Sequence, residues 1–244
     1  MTKQDSKRQL ALNLRLKDDT SFENFYGDEN QKAKKFLMAL DKKSHNNFIY
    51  FWGETPGVGK THLGIAACQY LNKLGLPVFY LSLKNFKETS PEILENLDKM
   101  TFVCIDDLDV IIGQKDWEEA LMNLFNHLVE TRNNLLVTAN KAPAALNFAL
   151  KDLQSRFMSC LIFRLHPLTD EQKLSALNLR AKDRGITLPK DTAQFLLNHN
   201  KRDLKTLFSI LEKLSEAALR SKRALTIPFV KEILAENTVF TNHS

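Results

Sequence analysis

Lys60 and Thr61, directly behind Gly57-Val58-Gly59, are the residues of this chain best suited to chemistry on a phosphate. Glycines let successive backbone N–H groups turn inward on an anion, and a helix starting at the same point adds the partial positive charge of its N-terminus. A lysine placed there reaches the β- and γ-phosphates of a nucleotide, and the adjoining hydroxyl sits on Mg²⁺. Asp106-Asp107 is the second set, at the end of the apolar run Thr101 to Ile105. Carboxylates at the end of a buried strand are costly unless a cation lies beside them. Next to a phosphate loop, Asp106 would hold Mg²⁺ through water and Asp107 would polarise the attacking water. Asn140, at the tip of Leu135 to Ala139, stands where open α/β sheets bind their ligands. It suits a reader of the γ-phosphate, and nearly as well a cap on the following turn.

The elements that must position these groups follow from the apolar patterning. Phe48 to Trp52 reads as a buried strand, and Leu63, Ala66, Ala67, Tyr70, Leu71 and Leu74 recur at helical spacing until Gly75 and Pro77. The loop between them departs from the strict phosphate-loop pattern. Glu54 stands where the first glycine belongs, and Gly53 falls one position early, so the turn carries an extra residue or is made differently. Val78 to Leu83, Thr101 to Ile105, Leu135 to Ala139 and Leu161 to Leu165 read as further strands. Between them lie a short helix from Ser90-Pro91 to Leu97 and a core stripe of Trp117, Leu121, Leu124, Phe125, Leu128 and Val129. A basic amphipathic helix ends near Leu40, behind a Phe22-x-x-Phe25 stretch. From Pro167 onward only helices are predicted. The first is opened by the capping box Thr169-x-x-Gln172, and a long one spans Asp203 to Arg223. The expected architecture is α/β: a five-stranded parallel sheet between helices over residues 21–166, then a small all-helical domain over 167–244. Residues 1–20 form a flexible N-terminal segment in this reading.

Composition excludes little but bounds the class. Of 244 residues, 43% are hydrophobic and 26% charged, ordinary for a globular protein. The excess of 34 Lys and Arg over 29 Asp and Glu suits work near nucleic acid without indicating it. Cys68, Cys104 and Cys160 have apolar neighbours and no metal-ligand spacing, as reduced core cysteines do. With no membrane-spanning run and a polar start, the expected location is cytoplasmic. Gln9-Leu10-Ala11-Leu12-Asn13-Leu14 reads either as an edge strand or as an exposed peptide whose leucines enter a partner's apolar pocket.

Four motifs in order carry a resemblance: the loop with Lys60-Thr61-His62-Leu63, Cys104-Ile105-Asp106-Asp107, Ser155-Arg156-Phe157, and Asn200-Lys201-Arg202-Asp203-Leu204. From about Ser21 to Leu234 the chain resembles AAA+ ATPases of the DnaA type, and among these most of all the regulatory inactivators of DnaA. Gln9 to Leu14 falls where those inactivators carry a clamp-binding motif, with Asn13 in place of their usual proline, and Thr226 to Leu234 is similar to their C-terminal stretch. The resemblance implies ADP or ATP with Mg²⁺, bound by Gly57, Val58, Gly59, Lys60 and Thr61, with Thr61 and Asp106 on the metal. It implies Asn140 at sensor 1, Arg202 at sensor 2 and Arg156 as an arginine finger. The implied partners are the DNA polymerase III β sliding clamp, met by Gln9, Leu10, Leu12 and Leu14, and the DnaA initiator, with DNA engaged mainly through the clamp. It leaves room for a homo-oligomer and implies no helix-turn-helix domain. The implied activity is negative regulation of replication initiation, by stimulating hydrolysis of the ATP that DnaA holds. A free-standing AAA+ ATPase such as a helicase loader is the rival, and a regulator binding DNA directly through its basic helices is a more distant one.

Overall fold

The structure, a computed structural model, describes residues 20–97 and 99–239. Its apolar runs form β1 (Phe48–Trp52), β2 (Val78–Ser82), β3 (Phe102–Asp106), β4 (Asn134–Ala139) and β5 (Leu161–Arg164). They make one parallel sheet in the order β2-β3-β4-β1-β5, with β1 in register against both β4 and β5. Every residue of β3 and β4 is buried. That is why those runs are continuous rather than alternating: helices cover both faces. α2 (Lys60–Lys73) and α1 (Gln31–Met38) pack on one side, and α3 (Lys115–Glu130) and α4 (Lys151–Met158) on the other. β1 shows the two-residue period directly. Ile49 and Phe51 join Leu63 and Ala67 of α2, whereas Tyr50 joins Phe125 and Phe157. Gly64 lets α2 lie close to the sheet, since a Cβ there would stand 2.9 Å from Cys104 Sγ.

Two expectations change. The segment expected as one helix from Ser90 to Leu97 is a 3-10 turn, Pro91–Leu94, preceded by another at Leu83–Glu88. Asn96 at φ +57° stops the segment before an α-helix can propagate. Val129 is 39% exposed and outside the core, because it lies at the rim of a stripe centred on Trp117, Leu121, Leu124 and Leu128.

The chain divides between His166 and Pro167 into two compact units. The second contains α5 (Asp170–Asp183), α6 (Lys190–His199), α7 (Leu204–Ser221) and α8 (Ile227–Val239). They enclose Leu177, Leu196, Leu207, Leu211, Leu214 and Phe229. Thr169 and Gln172 complete the capping box of α5, and Asp203 caps α7 by accepting from Thr206 N at 2.9 Å.

Buried polar side chains fix the connections of the first unit. Asn30 donates to the His166 carbonyl and accepts from its N–H, both at 2.9 Å. Glu118, fully buried, accepts from the N–H groups of Gly113 (2.7 Å), Ala149 (3.2 Å) and Leu150 (2.7 Å). The carboxylate thus holds the loop that leads into α4. Glu118→Ala would leave three backbone N–H groups without their charged acceptor and is expected to destabilise the protein by about 2 kcal/mol. Urea unfolding measures this, and a loss below about 1 kcal/mol would mean that the loop finds other partners.

Candidate functional site

The loop from Gly53 to Gly59 joins the carboxyl end of β1 to α2. Gly57 and Gly59 hold φ of +84° and +100°, values that other residues adopt only with strain. Gly59 is also pressed by the Phe25 ring, which a Cβ would meet at 2.5 Å. Gly53 does another job: a Cβ there would stand 2.8 Å from the Leu165 carbonyl and 2.9 Å from Val58 Cγ2. The offset glycine therefore serves close packing against the chain leaving β5, and the two later glycines make the turn. Phe22 and Phe25 are buried in the core beside α2, and His62 meets the Ser21 carbonyl at 2.8 Å through Nε2. Burial lowers the pKa of His62.

Lys60 is buried, and its ammonium donates to the Gly53 carbonyl at 2.7 Å. Burial lowers its pKa, opposed by the negative charges of Asp109, Asp107 and Asp106 in that order. No side chain caps α2, and its first turn contains no acid. A buried cation, N–H groups left open by the helix and two left-handed glycines fit a polyphosphate.

At the end of β3, Asp106 is 1% exposed. Its Oδ2 accepts from Thr61 Oγ1 (2.7 Å) and the Tyr80 hydroxyl (2.9 Å), and its Oδ1 accepts from Thr138 Oγ1. Asp107 has left-handed backbone at φ +64°, with its N–H donating to Thr138 Oγ1 at 3.1 Å. Its carboxylate accepts from Ser82 Oγ at 3.3 Å and faces Lys84 Nζ at 3.5 Å. Burial, then the neighbouring Asp106, raises the Asp107 pKa, and Lys84 opposes them. Asn140 does not cap its own turn. Its backbone N–H and its Nδ2 donate to the two oxygens of Asp109, at 2.7 and 2.5 Å.

Lys60, Thr61, Asp106, Asp107 and Asn140 thus stand at the carboxyl ends of β1, β3 and β4. Arg156 does not join them. It lies in the last turn of α4, exposed, with its guanidinium 5.6 Å from the Phe125 ring centre. It borders a cleft of about 450 Å³ with Asn47, Phe48, Phe125 and Leu161, at the amino ends of β1 and β5. Arg202 belongs to the helical unit, where it pairs with Asp170 at 3.2 Å. Gln9, Leu10, Leu12 and Leu14 lie outside the described residues. Tyr80, Thr138 and Asp109 went unmarked in the sequence. A lone hydroxyl within Leu135 to Ala139, and a third acid shortly after Asp106, were the available signals.

A parallel sheet of this order, a glycine loop feeding α2 and a separate helical unit define a P-loop module of AAA+ architecture. A family model described as the bacterial DnaA ATPase domain matches residues 16–164, more than half of the chain, and one described as the Hda lid domain matches 170–234. The chain belongs to the DnaA ATPase family. Domain III of the Thermotoga maritima replication initiator DnaA is similar at a TM-score of 0.74 and 23% identity, over 90% of this chain and 97% of that one. A DnaA bound to AMPPCP and single-stranded DNA follows at 0.71 and 22%, over 85% and 69%. The Thermotoga maritima RuvB Holliday junction branch migration motor matches at 0.64 and 17%, over 88% and 71%. At these identities the likeness is one of fold.

Asp107 combines a left-handed backbone with a desolvated charge beside a second carboxylate, and both cost stability. Asparagine accepts that backbone, keeps an acceptor for Ser82 and removes the repulsion. Asp107→Asn should therefore stabilise the nucleotide-free protein by about 1 kcal/mol, read as a melting temperature higher by roughly 2–4 °C. A lower melting temperature would show that the exposed Lys84 contact outweighs the desolvation and repulsion of the charge.

Proposed function

We propose that this chain is a negative regulator of replication initiation that acts on the nucleotide of another molecule. It holds its own ADP or ATP on Gly57, Val58, Gly59, Lys60 and Thr61, with Asn140 and Arg202 reading the bound state. Thr61 and Asp106, whose side chains meet at 2.7 Å, would hold Mg²⁺ beside the phosphates. Among the described residues no cluster of three or more His, Cys, Asp or Glu could cage a metal by itself, and Mg²⁺ commonly keeps waters and phosphate oxygens as ligands. The cation would neutralise phosphate charge. Asp107, nearby, would orient water.

The observation that carries the reading is the position of Arg156. The sheet is parallel, so the amino ends of β1 and β5 are a strand's length, roughly 16 Å, from the phosphate loop. Arg156 is therefore poorly placed to serve its own Lys60 site. Among the described residues no carboxylate pairs with it, and its cation rests only on the Phe125 ring. An exposed guanidinium held by a ring remains available to a neighbour's phosphates. Its planar fork suits the charge developing on a transferring phosphoryl group, a contribution on the order of 10³ to 10⁵ in rate. The DnaA family relationship makes ATP-bound DnaA the favoured recipient, and Gln9, Leu10, Leu12 and Leu14 would tether the complex to the DNA-loaded sliding clamp. The complete set around Lys60 and Asp106 also favours a second reading, a free-standing ATPase such as a helicase loader that turns over its own ATP. Turnover by the isolated chain, compared with turnover by added DnaA, separates the two.

Arg156→Ala is expected to keep its melting temperature, nucleotide affinity and clamp binding while losing stimulation of DnaA-bound ATP hydrolysis. Lysine should restore little of it. Normal stimulation by Arg156→Ala would falsify the trans mechanism, and a joint fall in every activity would mark the arginine as structural.

Leu12→Ala combined with Leu14→Ala should abolish retention on immobilised clamp and spare nucleotide binding, since each leucine buried in a partner's pocket contributes roughly 1.5–3 kcal/mol. Undiminished retention by the double variant would remove this segment from the mechanism.

A further inference from the structure

The sheet ends at β5, which pairs with β1 on one side and, among the described residues, with no strand on the other. What is bonded shows which main-chain groups point outward. Leu165 donates its N–H to the Trp52 carbonyl and so faces β1, whereas His166 turns both its N–H and its carbonyl away, to the Asn30 side chain. The two-residue period of a strand then turns the N–H and carbonyl groups of Ile162 and Arg164 outward as well. Asn30 closes the edge at His166. Among the described residues nothing bonds the four outward groups before it.

This open edge is apolar. Leu161 is 46% exposed and Ile162 40%, and Met158, just ahead of the strand, is 53% exposed. An apolar edge strand invites pairing with another chain, and folded proteins usually blunt or cover one that has no use. At the amino end of β5 the edge opens into the cleft walled by Phe36, Phe48, Phe125, Val129 and Leu161, which has room for a bulky apolar side chain. Charge completes the pattern. Arg164, exposed, lies over the Trp52 ring at 4.9 Å, and Arg156 lies over Phe125 at the other end. Neither has a carboxylate partner among the described residues. We propose that the outer edge of β5 is a docking surface for an extended segment of a protein partner, apolar along its middle and acidic where it meets Arg164. Pairing with Ile162 and Arg164 would supply the main-chain hydrogen bonds, and one side chain in the cleft would supply selectivity. A second copy of β5 is a poor occupant, since pairing would gather arginines of both chains on one edge.

The test is selection of random octapeptides, displayed on phage, on the immobilised full chain, followed by fluorescence anisotropy of the selected peptides. Enrichment of alternating apolar residues followed or preceded by Asp or Glu is expected. A copy with N-methylated main-chain amides, and one with Lys in place of its acids, should each bind at least about tenfold more weakly. Ile162→Pro removes one outward N–H at a position where an edge strand tolerates proline, and should weaken binding about tenfold with the melting temperature unchanged. Arg164→Glu should reverse the preference in favour of the Lys peptide, a gain that misfolding would not produce. No enrichment, enrichment without acids, or equal binding of the N-methylated copy overturns the inference, as does undiminished binding of the acidic peptide by both variants. Competition at matching affinity by a peptide of residues 1–19 also overturns it, by making the edge a seat for this chain's own segment. So does a doubling of mass with concentration that Ile162→Pro abolishes, which would make the edge a contact between copies.

Discussion

A carboxylate removed from water inside a sheet persists only where donors surround it, and Asp106 recruits them from every side. Thr61 comes from α2, Tyr80 from β2 and Thr138 from β4, so a residue of β3 is tied to both neighbouring strands and to the helix behind the phosphate loop. The Thr138 hydroxyl is held in turn: it also accepts from the Asp107 N–H, which helps fix that residue in its left-handed turn. The charge is therefore both a strain on the core and the reason that the loop, β3 and β4 share one geometry.

Sheet polarity then separates two chemistries. The carboxyl edge gathers Lys60, Thr61, Asp106, Asp107 and Asn140, and the amino edge presents Arg156 beside Phe125. The separation follows from how α4 enters the fold. Glu118 fixes the Ala149-Leu150 approach, and α4 then runs back along the sheet to end beside the start of β5. Under the proposed function, a single domain would keep one nucleotide and offer a cation to another without the two interfering.

The fold was legible because its strands are continuous apolar runs, and because helix ends announce themselves through Thr169, Gln172 and Asp203. Lys60, Thr61 and Asp106 were legible for a related reason: a strand, a turn and an acid in chain order imply their own convergence. The partners of those residues were not. Tyr80 reaches Asp106 only because β2 lies beside β3, an adjacency that no local pattern encodes. Thr138 was hidden inside the run that identified its strand. Gly53 looked like a misplaced motif residue because its constraint is the Leu165 carbonyl, far away in sequence.

The pair of hydrogen bonds between Asn30 and His166 has a mechanical side. They join residues 136 positions apart, beside α1 at one end of the α/β unit and at its last residue before Pro167 at the other. The side-chain amide behaves as one more backbone rung, closing the chain into a loop whose entry and exit are latched together. A pull on the chain ahead of Asn30 would be taken first by the buried Phe22 and Phe25 rings beside α2 and by the Ser21–His62 contact, and next by this latch. Past those rings the tension would pass to the point where the polypeptide leaves for the helical unit, and the parallel strands behind would be spared until the latch gave way.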